Sequence, residues 1–371
     1  MLLAAGTAVD ARILVRLKAL GIEHLWTQHD ATAELESVIS PQLQASRRKL
    51  MDGMKGHFQQ MAACTVTDVH VRSYRDGVMD LICELVSNKG LAGLTDRLIH
   101  AERDTLFTHA ANVSYLALLA GLELETYIVQ ERRRLPAADA RDVTTLGIGA
   151  LLHDIGKTQL DGDLSRRHEI HRPETLPMDY YYHTLAGYDL LGTTRTPASA
   201  KQVVLCHHQR FDGKGWPEMD KVTGGRQTGV QEDRQIHIHA RITAAANVLE
   251  NLLRSAEGQR RPPAAALSDF AGERFDGWFD PAVRQAMLRK IPPYPTASHV
   301  RLSDGAHAAV VAPSLEMPCR PVVRLLEESK RMPDGTFPNI DLLARADIEI
   351  VECMGVDVRP WRYHLDTRSA A

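Results

Sequence analysis

The sequence contains few cysteines, and they are scattered along the chain. Five occur among 371 residues, and no two of them form a Cys-x-x-Cys pair. An odd number of widely spaced cysteines argues against a disulfide framework and a cysteine zinc site, and it favours a reducing compartment. The five are Cys64, Cys83, Cys206, Cys319 and Cys353.

The chain also lacks a strong net charge and a long hydrophobic run. A formal net charge of −3 gives no general attraction to DNA or RNA. The most apolar stretch near the middle, Tyr115 to Leu122, is too short to span a bilayer, and Met1 to Asp10 has no basic segment ahead of an apolar run. These features predict a cytoplasmic protein that has no signal peptide and does not enter a membrane.

The length and the hydrophobic pattern predict a mainly α protein with more than one domain. Apolar residues recur at helical spacing in residues 1–92, a mostly helical region of unknown role, and in residues 93–275, which are predicted to form an all-α bundle. Two polar stretches, Arg132 to Arg141 and Met219 to Arg234, interrupt the bundle pattern and are expected to be exposed connections.

A change of pattern near the C-terminus predicts a small β-rich appendage at residues 293–358. Two short β-prone runs lie on either side of Ser303-Asp-Gly-Ala306, which is a hairpin signal. Pro321 to Leu326 and Ile348 to Cys353 are two further strand candidates, with a turn at Asp334-Gly335 between them.

Candidate metal ligands follow one another in a definite order through the predicted bundle. Among 17 histidines a single His-Asp or His-His doublet is not informative, but the conjunction of several such motifs is specific. In chain order the motifs are His109, the pair His153-Asp154 with Gly156 and Lys157 after it, His183 behind three tyrosines, the pair His207-His208, and the run Asp212-Gly-Lys-Gly-Trp-Pro217.

These residue types suit a pair of divalent transition metals. Imidazole nitrogen binds such metals, and a carboxylate can bridge two of them. Two metals about 3.5–4 Å apart can activate water and polarise a phosphoryl group. His153 and Asp154 are adjacent in sequence, so both reach one site only near a helix end, where Gly156 fits. Lys157 then supplies a mobile cation for a phosphate oxygen.

The order of these motifs resembles the HD superfamily of metal-dependent phosphohydrolases, and specifically its HD-GYP subfamily, which includes cyclic di-GMP phosphodiesterases. The resemblance covers about residues 93–265 and implies an HD-type all-α helical bundle. It extends into the β-rich appendage through Val300-Arg-Leu-Ser-Asp-Gly and Arg320-Pro-Val-Val-Arg-Leu. Arg241-Ile, followed by Asn247-Val-Leu-Glu250, matches the Ala-Arg-Ile…Asp-x-x-Asp helix of the subfamily.

The resemblance implies a role for each matching residue. Asp154 would bridge the two metals and act in catalysis, together with Lys157 on the substrate phosphate. Arg260 and Arg261 fall where relatives place basic residues that contact substrate. The implied metal ligands, for iron or manganese, are His109, His153, Asp154, His183, His207, His208 and Asn247. The residues implied to flank the site and contact a partner are Asp212, Gly213, Gly215 and Trp216.

The chain departs from the subfamily pattern at four positions. Asn247 replaces an aspartate ligand, and Thr105 stands where some members carry the glutamate of a third metal site, which implies two metals at most. Trp216 replaces the tyrosine of the Gly-Tyr-Pro motif, and Gln209 replaces the glutamate that often follows His-His.

Three functions are compatible with these motifs. The first is hydrolysis of a cyclic dinucleotide, cyclic di-GMP above all, to the linear dinucleotide or GMP in bacterial signalling. The second is a binding or adaptor protein that retains the fold and uses residues 212–217 to engage a diguanylate cyclase (GGDEF) domain. The third is an HD phosphohydrolase for another nucleotide. Homodimerisation, metal identity and the role of residues 1–92 are left open by the sequence.

Overall fold

The structure is a computed structural model that describes the greater part of the chain. The described residues are 7, 9–20, 30–38, 46, 49, 68–87, 106–160, 177–219, 229–255 and 261–365. Thr105 and Arg260, as well as much of the predicted helical region 1–92, lie outside them. Among the helices in these ranges, none combines the length and the apolar character needed to cross a bilayer.

The described part of residues 1–275 is mainly helical, as predicted, and one further helix follows at residues 281–290. The α-helices are α1 (Ala11–Ala19), α2 (Asp68–Ser87), α3 (Leu106–Glu123), α4 (Glu125–Glu131), α5 (Ala137–Ala140), α6 (Thr144–Leu152), α7 (Met178–Tyr181), α8 (His183–Gly192), α9 (Ala198–Cys206), α10 (Ile238–Leu252), α11 (Pro263–Ala271) and α12 (Pro281–Lys290). Short 3-10 helices span Asp30–Val38, Ile155–Gln159, Asp233–Gln235, Glu273–Phe275 and Glu328–Lys330.

Helices α3 and α10 form the centre of the bundle. All residues of α10 are buried, and α3 exposes almost none of its middle part. Helix α3 packs against α6, α10 and α12, while α9 packs against α6 and α8. Leu116, Leu146 and Leu249 belong to the apolar core that these helices share. Burial of this much apolar surface is the main stabilising contribution to the bundle, and it fixes the helix ends that carry the candidate ligands.

The appendage is a six-stranded antiparallel sheet with the strand order β4-β3-β2-β1-β5-β6. The predicted hairpin is confirmed, because β1 pairs with β2 and Val300 lies opposite Ala308. The strand candidates at 321–326 and 348–353 contain β3 and β5, whereas β4 and β6 were not predicted. The strands are β1 (His299–Leu302), β2 (His307–Ala312), β3 (Val322–Leu325), β4 (Asn339–Asp341), β5 (Ile350–Cys353) and β6 (Val356–Asp357).

The two polar stretches are largely exposed where the structure describes them, as predicted. In the first, Arg132 donates from Nη1 to the carbonyl of Ala140 and closes a compact turn that contains α5. At the start of the second, Met219 is buried.

Candidate metal centre

The six strongest predicted ligands converge on one buried site. His109 lies in α3, His153 and Asp154 follow the end of α6, His183 begins α8, and His207 with His208 follows α9. Each of the six side chains is almost fully buried. The ligand atoms form two groups, and within each group all of them lie within 4.8 Å of one another, so that each group could hold a metal ion. The first group is His109, His153 and Asp154, and the second is Asp154, His183, His207 and His208.

Asp154 belongs to both groups, and its two oxygens face different histidines. Oδ2 lies 3.6 Å from Nε2 of His109 and 3.4 Å from Nε2 of His153. Oδ1 lies 3.2 Å from Nε2 of His183 and 3.5 Å from Nε2 of His207. A carboxylate between two sets of imidazoles is the arrangement that bridges two metal ions.

Three of the histidines are oriented by the last turn of the segment that carries them. His153, His183 and His207 contact, through Nδ1, the carbonyl oxygen of the residue three positions earlier, at 2.7, 2.5 and 3.0 Å. Because a carbonyl can only accept, each Nδ1 carries the proton and donates it. In the neutral ring Nε2 is then left with a lone pair, and it is Nε2 that faces Asp154.

His109 is oriented by a residue that was not predicted to take part in the site. Its Nδ1 lies 2.6 Å from Oε2 of Glu250, whose Oε1 accepts from Nδ2 of Asn112 at 2.8 Å. Burial opposes protonation of His109, but the carboxylates of Glu250 and Asp154 outweigh it and raise the pKa of the ring. A carboxylate on the far nitrogen of a ligating histidine fixes the ring and strengthens its metal bond.

The donor set fits divalent transition metals. Nε2 of His183 lies 3.3 Å from Nε2 of both His207 and His208, so lone pairs face one another across the space that a cation would fill. Nε2 of His153 and both oxygens of Asp154 form no hydrogen bond of good geometry within the described part of the chain. Burial lowers the pKa of His153 far below its ordinary value and that of His207 to about 3, which keeps both rings neutral.

Gly156 allows the two halves of the site to approach closely. A Cβ at this position would lie 1.9 Å from the carbonyl oxygen of His183, so only glycine fits between the 3-10 helix Ile155–Gln159 and α8. The predicted helix end at His153 is present, because α6 ends at Leu152. The change from α-helix to 3-10 helix turns Asp154 toward the same site as His153.

Lys157 lies buried inside the site, next to Asp154. Its Nζ lies 2.7 Å from Oδ2 of Asp154 and 5.0 Å from the centre of the Tyr180 ring. Burial opposes the charge of Lys157, but Asp154 and Tyr180 outweigh it and raise the pKa of the ammonium group. Lys157 therefore places a permanent positive charge beside the candidate metal ligands.

Asn247 and Arg261 have partners inside the protein. Oδ1 of Asn247 accepts a hydrogen bond from Nδ2 of Asn251 at 3.0 Å, which leaves one lone pair of that oxygen for a metal. Arg261 donates to the carbonyl of Leu252 at 3.0 Å and to Asp269 at 2.6 Å, so its charge is neutralised between α10 and α11. Within the described residues these contacts direct Arg261 toward α10 and α11, and its predicted role in substrate binding stays a prediction.

The loop at residues 207–217 is anchored against the site. The amide of Gln209 donates to the carbonyl of Pro217 at 2.6 Å, and Asp212 pairs with Arg210. A Cβ on Gly215 would lie 2.4 Å from the carbonyl oxygen of His208, so this loop crosses the backbone of His208 where only glycine fits. Gly213 has a φ of 73°, a conformation that also favours glycine. Trp216 is 7% exposed.

Cys206 and His239 are packed in the interior, and His237 lies beside His239. His239 is fully buried, and His237 accepts a hydrogen bond from its backbone nitrogen. Cys206 lies in a small apolar cluster with Leu205 and Ile236. Burial raises the pKa of its thiol to about 12, which removes the thiolate that a nucleophile would need.

We expect Glu250→Gln to weaken metal binding by about 10–100-fold. Both oxygens of Glu250 accept hydrogen bonds, from His109 and Asn112. Glutamine can accept with only one of them, so one contact becomes a repulsive donor–donor contact. Metal titration followed by calorimetry measures the effect, and the exposed Glu125→Gln is the matched control. Unchanged affinity in Glu250→Gln would show that Glu250 does not support the site.

The segment that contains this site is similar to known proteins. A family model of the HD domain matches residues 97–283, half of the chain. A cyclic di-GMP phosphodiesterase of Pseudomonas aeruginosa is 27% identical over 215 residues, which are 58% of this chain and 46% of that protein. A protein of Thermotoga maritima named cyclic di-GMP phosphodiesterase is 30% identical over 122 residues, 32% of this chain and 28% of that protein. The chain thus spans less than half the length of these relatives.

Among solved structures, an HDG"Y"P protein from Bdellovibrio bacteriovorus is similar over 68% of this chain and 75% of its own, with a TM-score of 0.47 and 13% sequence identity. The chain belongs to the HD domain family. The sequence prediction of an HD-GYP domain protein is confirmed.

Proposed function

We propose that the protein is a metal-dependent phosphodiesterase that hydrolyses a cyclic dinucleotide, with cyclic di-GMP as the leading substrate. The observation that carries this proposal is the position of Asp154, whose two oxygens face two separate sets of histidines. The names of the two curated relatives support the choice of substrate.

Two divalent metals, iron or manganese, would be held by the histidines on the two sides of Asp154, with Asn247 as a seventh, neutral ligand. When bound, such a pair supplies an activated water and stabilises the charge that develops on the phosphoryl oxygens. In the reaction the oxygen of water adds to phosphorus, one P–O ester bond breaks, and the departing ribose oxygen takes up a proton. The product is a linear dinucleotide, and a second hydrolysis gives GMP.

The chain's own contribution is orientation and charge. Backbone carbonyls hold the rings of His153, His183 and His207, so the donor atoms are in place before a ligand arrives. Lys157 provides a buried cation beside Asp154, and we assign it to a non-bridging oxygen of the substrate phosphate. The low solvent exposure of these residues strengthens each of these interactions.

The direct test is turnover of cyclic di-GMP by protein loaded separately with iron and with manganese under reducing conditions. We expect the linear dinucleotide or GMP to appear in proportion to metal content. Protein that holds two metals per chain but leaves cyclic di-GMP and other cyclic dinucleotides intact would contradict the proposal. Hydrolysis of a different nucleotide instead would keep the reaction class and change the substrate.

A second candidate function is an adaptor that binds a partner without turnover, and Asn247 favours it. The single free lone pair of its amide oxygen is a weaker metal ligand than an aspartate. In this alternative the loop at residues 212–217 would engage a diguanylate cyclase domain, with Lys214, which is 75% exposed at its side chain, as its most accessible charge. A homodimer is a compatible assembly for either function.

Asn247→Asp separates the two functions. If the site is a working but weakened catalyst, an added negative charge should increase metal affinity on the order of tenfold and raise the rate of hydrolysis with it. Metal analysis and a product assay on the same samples measure both effects. Asn339→Asp, an exposed position in β4, is the control for an added carboxylate outside the predicted ligand set. Full metal loading without any hydrolysis in both wild type and Asn247→Asp would favour the adaptor.

A further inference from the structure

Three consecutive tyrosines lead from the interior of the protein to its surface beside the candidate metal centre. Tyr180 is fully buried, Tyr181 is partly buried, and Tyr182 is 43% exposed. They lie at α7 and the start of α8, directly before His183. None of the three belongs to the proposed ligand set, so their aromatic surface has a different role.

The inner tyrosines contact the metal centre itself. The ring of Tyr180 lies 5.1 Å from that of His183, and Nζ of Lys157 lies over its face. The ring of Tyr181 lies 5.6 Å from that of His208. The aromatic surface is therefore adjacent to Lys157, which we assign to the substrate phosphate, and to the histidines of the second ligand group.

Trp216 fixes the outer part of this surface. Its indole nitrogen donates to the carbonyl of Tyr181 at 2.9 Å and to the hydroxyl of Thr184 at 3.1 Å. The Tyr182 ring packs against the indole in an edge-to-face contact with 5.7 Å between ring centres, and the Tyr181 ring lies 6.3 Å from it. A tyrosine at position 216 has no ring N–H, so the tryptophan provides an anchor that the usual residue of this motif does not.

We propose that Tyr181, Tyr182 and Trp216 form an aromatic wall in which the exposed ring of Tyr182, supported by Trp216, stacks a purine base of the substrate, while Lys157 and the metal centre hold its phosphate. This inference rests on the proposed function and specifies a nucleotide ligand in place of a simple phosphodiester. Stacking of a base on an aromatic side chain contributes substantially to affinity and tolerates differences among bases. Trp216 is buried and its indole N–H donates to Tyr181 and Thr184, so the aromatic wall is preorganised and little freedom is lost when a base binds.

Binding of GMP and ribose 5-phosphate to metal-loaded protein tests the aromatic wall, because these two probes share a phosphate and a sugar and differ in the base. We expect the wild type to bind GMP more tightly than ribose 5-phosphate. Tyr182→Ala should weaken GMP binding on the order of tenfold and leave ribose 5-phosphate binding unchanged. Tyr182→Phe keeps the ring and should retain GMP binding. Met178→Ala, an exposed change on α7, is the matched control. Isothermal calorimetry measures all of these affinities without catalysis.

The outcomes distinguish the aromatic wall from the proposed function. Equal affinity of the wild type for the two probes, or unchanged GMP binding in Tyr182→Ala, would overturn the aromatic wall. A parallel loss of both probes in Tyr182→Ala would also overturn it, since that result indicates a damaged phosphate site. If GMP is preferred in the expected way but no cyclic dinucleotide is hydrolysed, the aromatic wall stands and the proposed function fails.

Discussion

Asp154→Asn is expected to abolish hydrolysis, with a loss of at least about a thousandfold, and to remove the paired-metal signal. The carboxylate places one oxygen toward His109 and His153 and the other toward His183 and His207. An asparagine has one acceptor oxygen, and its amide nitrogen would face one of the two metal positions as a donor. Metal analysis by mass spectrometry and a phosphodiesterase assay on the same protein measure the two losses.

The control for this substitution is Asp189→Asn, an exposed aspartate on α8, the helix that begins with His183. It should leave metal content and turnover as in the wild type. We also expect Asp154→Asn to lower the unfolding temperature of the metal-free protein, because Lys157 then remains buried without its counter-charge. Two tightly bound metals in Asp154→Asn would contradict the bridging role.

Arg241→Met is expected to destabilise the protein by about 3–5 kcal/mol. Arg241 bonds the buried carboxylates of Asp280, at 2.5 Å, and Glu131, and Nε donates to the carbonyl of Ile236 at 3.0 Å. Asp280 also accepts from the hydroxyl of Tyr127 at 2.9 Å. Methionine keeps much of the arginine volume, but it removes the cation beside the buried carboxylate of Asp280 and leaves Glu131 with the exposed Arg234 alone. Equilibrium unfolding in urea measures the change in free energy.

Arg301→Met provides the comparison, because Arg301 pairs with Glu352 on the surface of the sheet, where both side chains are partly exposed. Water replaces the lost partner there, so stability should remain close to that of the wild type. If the two substitutions had equal effects, the free energy of Arg241 would come from its alkyl chain and not from the buried charges. Glu131 is the last residue of α4, directly before the first polar stretch, and Asp280 directly precedes α12. The network therefore also connects the first polar stretch to the bundle.

The candidate ligands could be predicted because each of them belongs to a short motif of neighbouring residues. Two adjacent side chains, His153 and Asp154, can reach one site only near a helix end. The structure has a helix end at Leu152, directly before this pair. The contact between Glu250 and His109 could not be predicted in this way, since 141 residues separate the two. Only the packing of α3 against α10 brings them together, and no spacing in the sequence encodes that distance.

The same distinction applies to the appendage. Strands β1, β2, β3 and β5 contain runs of β-branched or apolar residues that signal a strand. Strands β4 and β6 have three and two residues, so their identity depends on the neighbour with which they pair. The aromatic wall could not be predicted from the sequence either, because a run of three tyrosines does not indicate that Trp216 donates to the carbonyl of Tyr181.

The short carbonyl contacts of His153, His183 and His207 span only three residues each. The rings therefore lose their rotational freedom when the local backbone folds, and not when a metal arrives. Since that entropy is already lost, nearly the whole free energy of coordination remains available to favour the native state over the unfolded chain. The unfolding temperature of this protein should consequently rise with its metal content, because metal binding and folding are coupled equilibria.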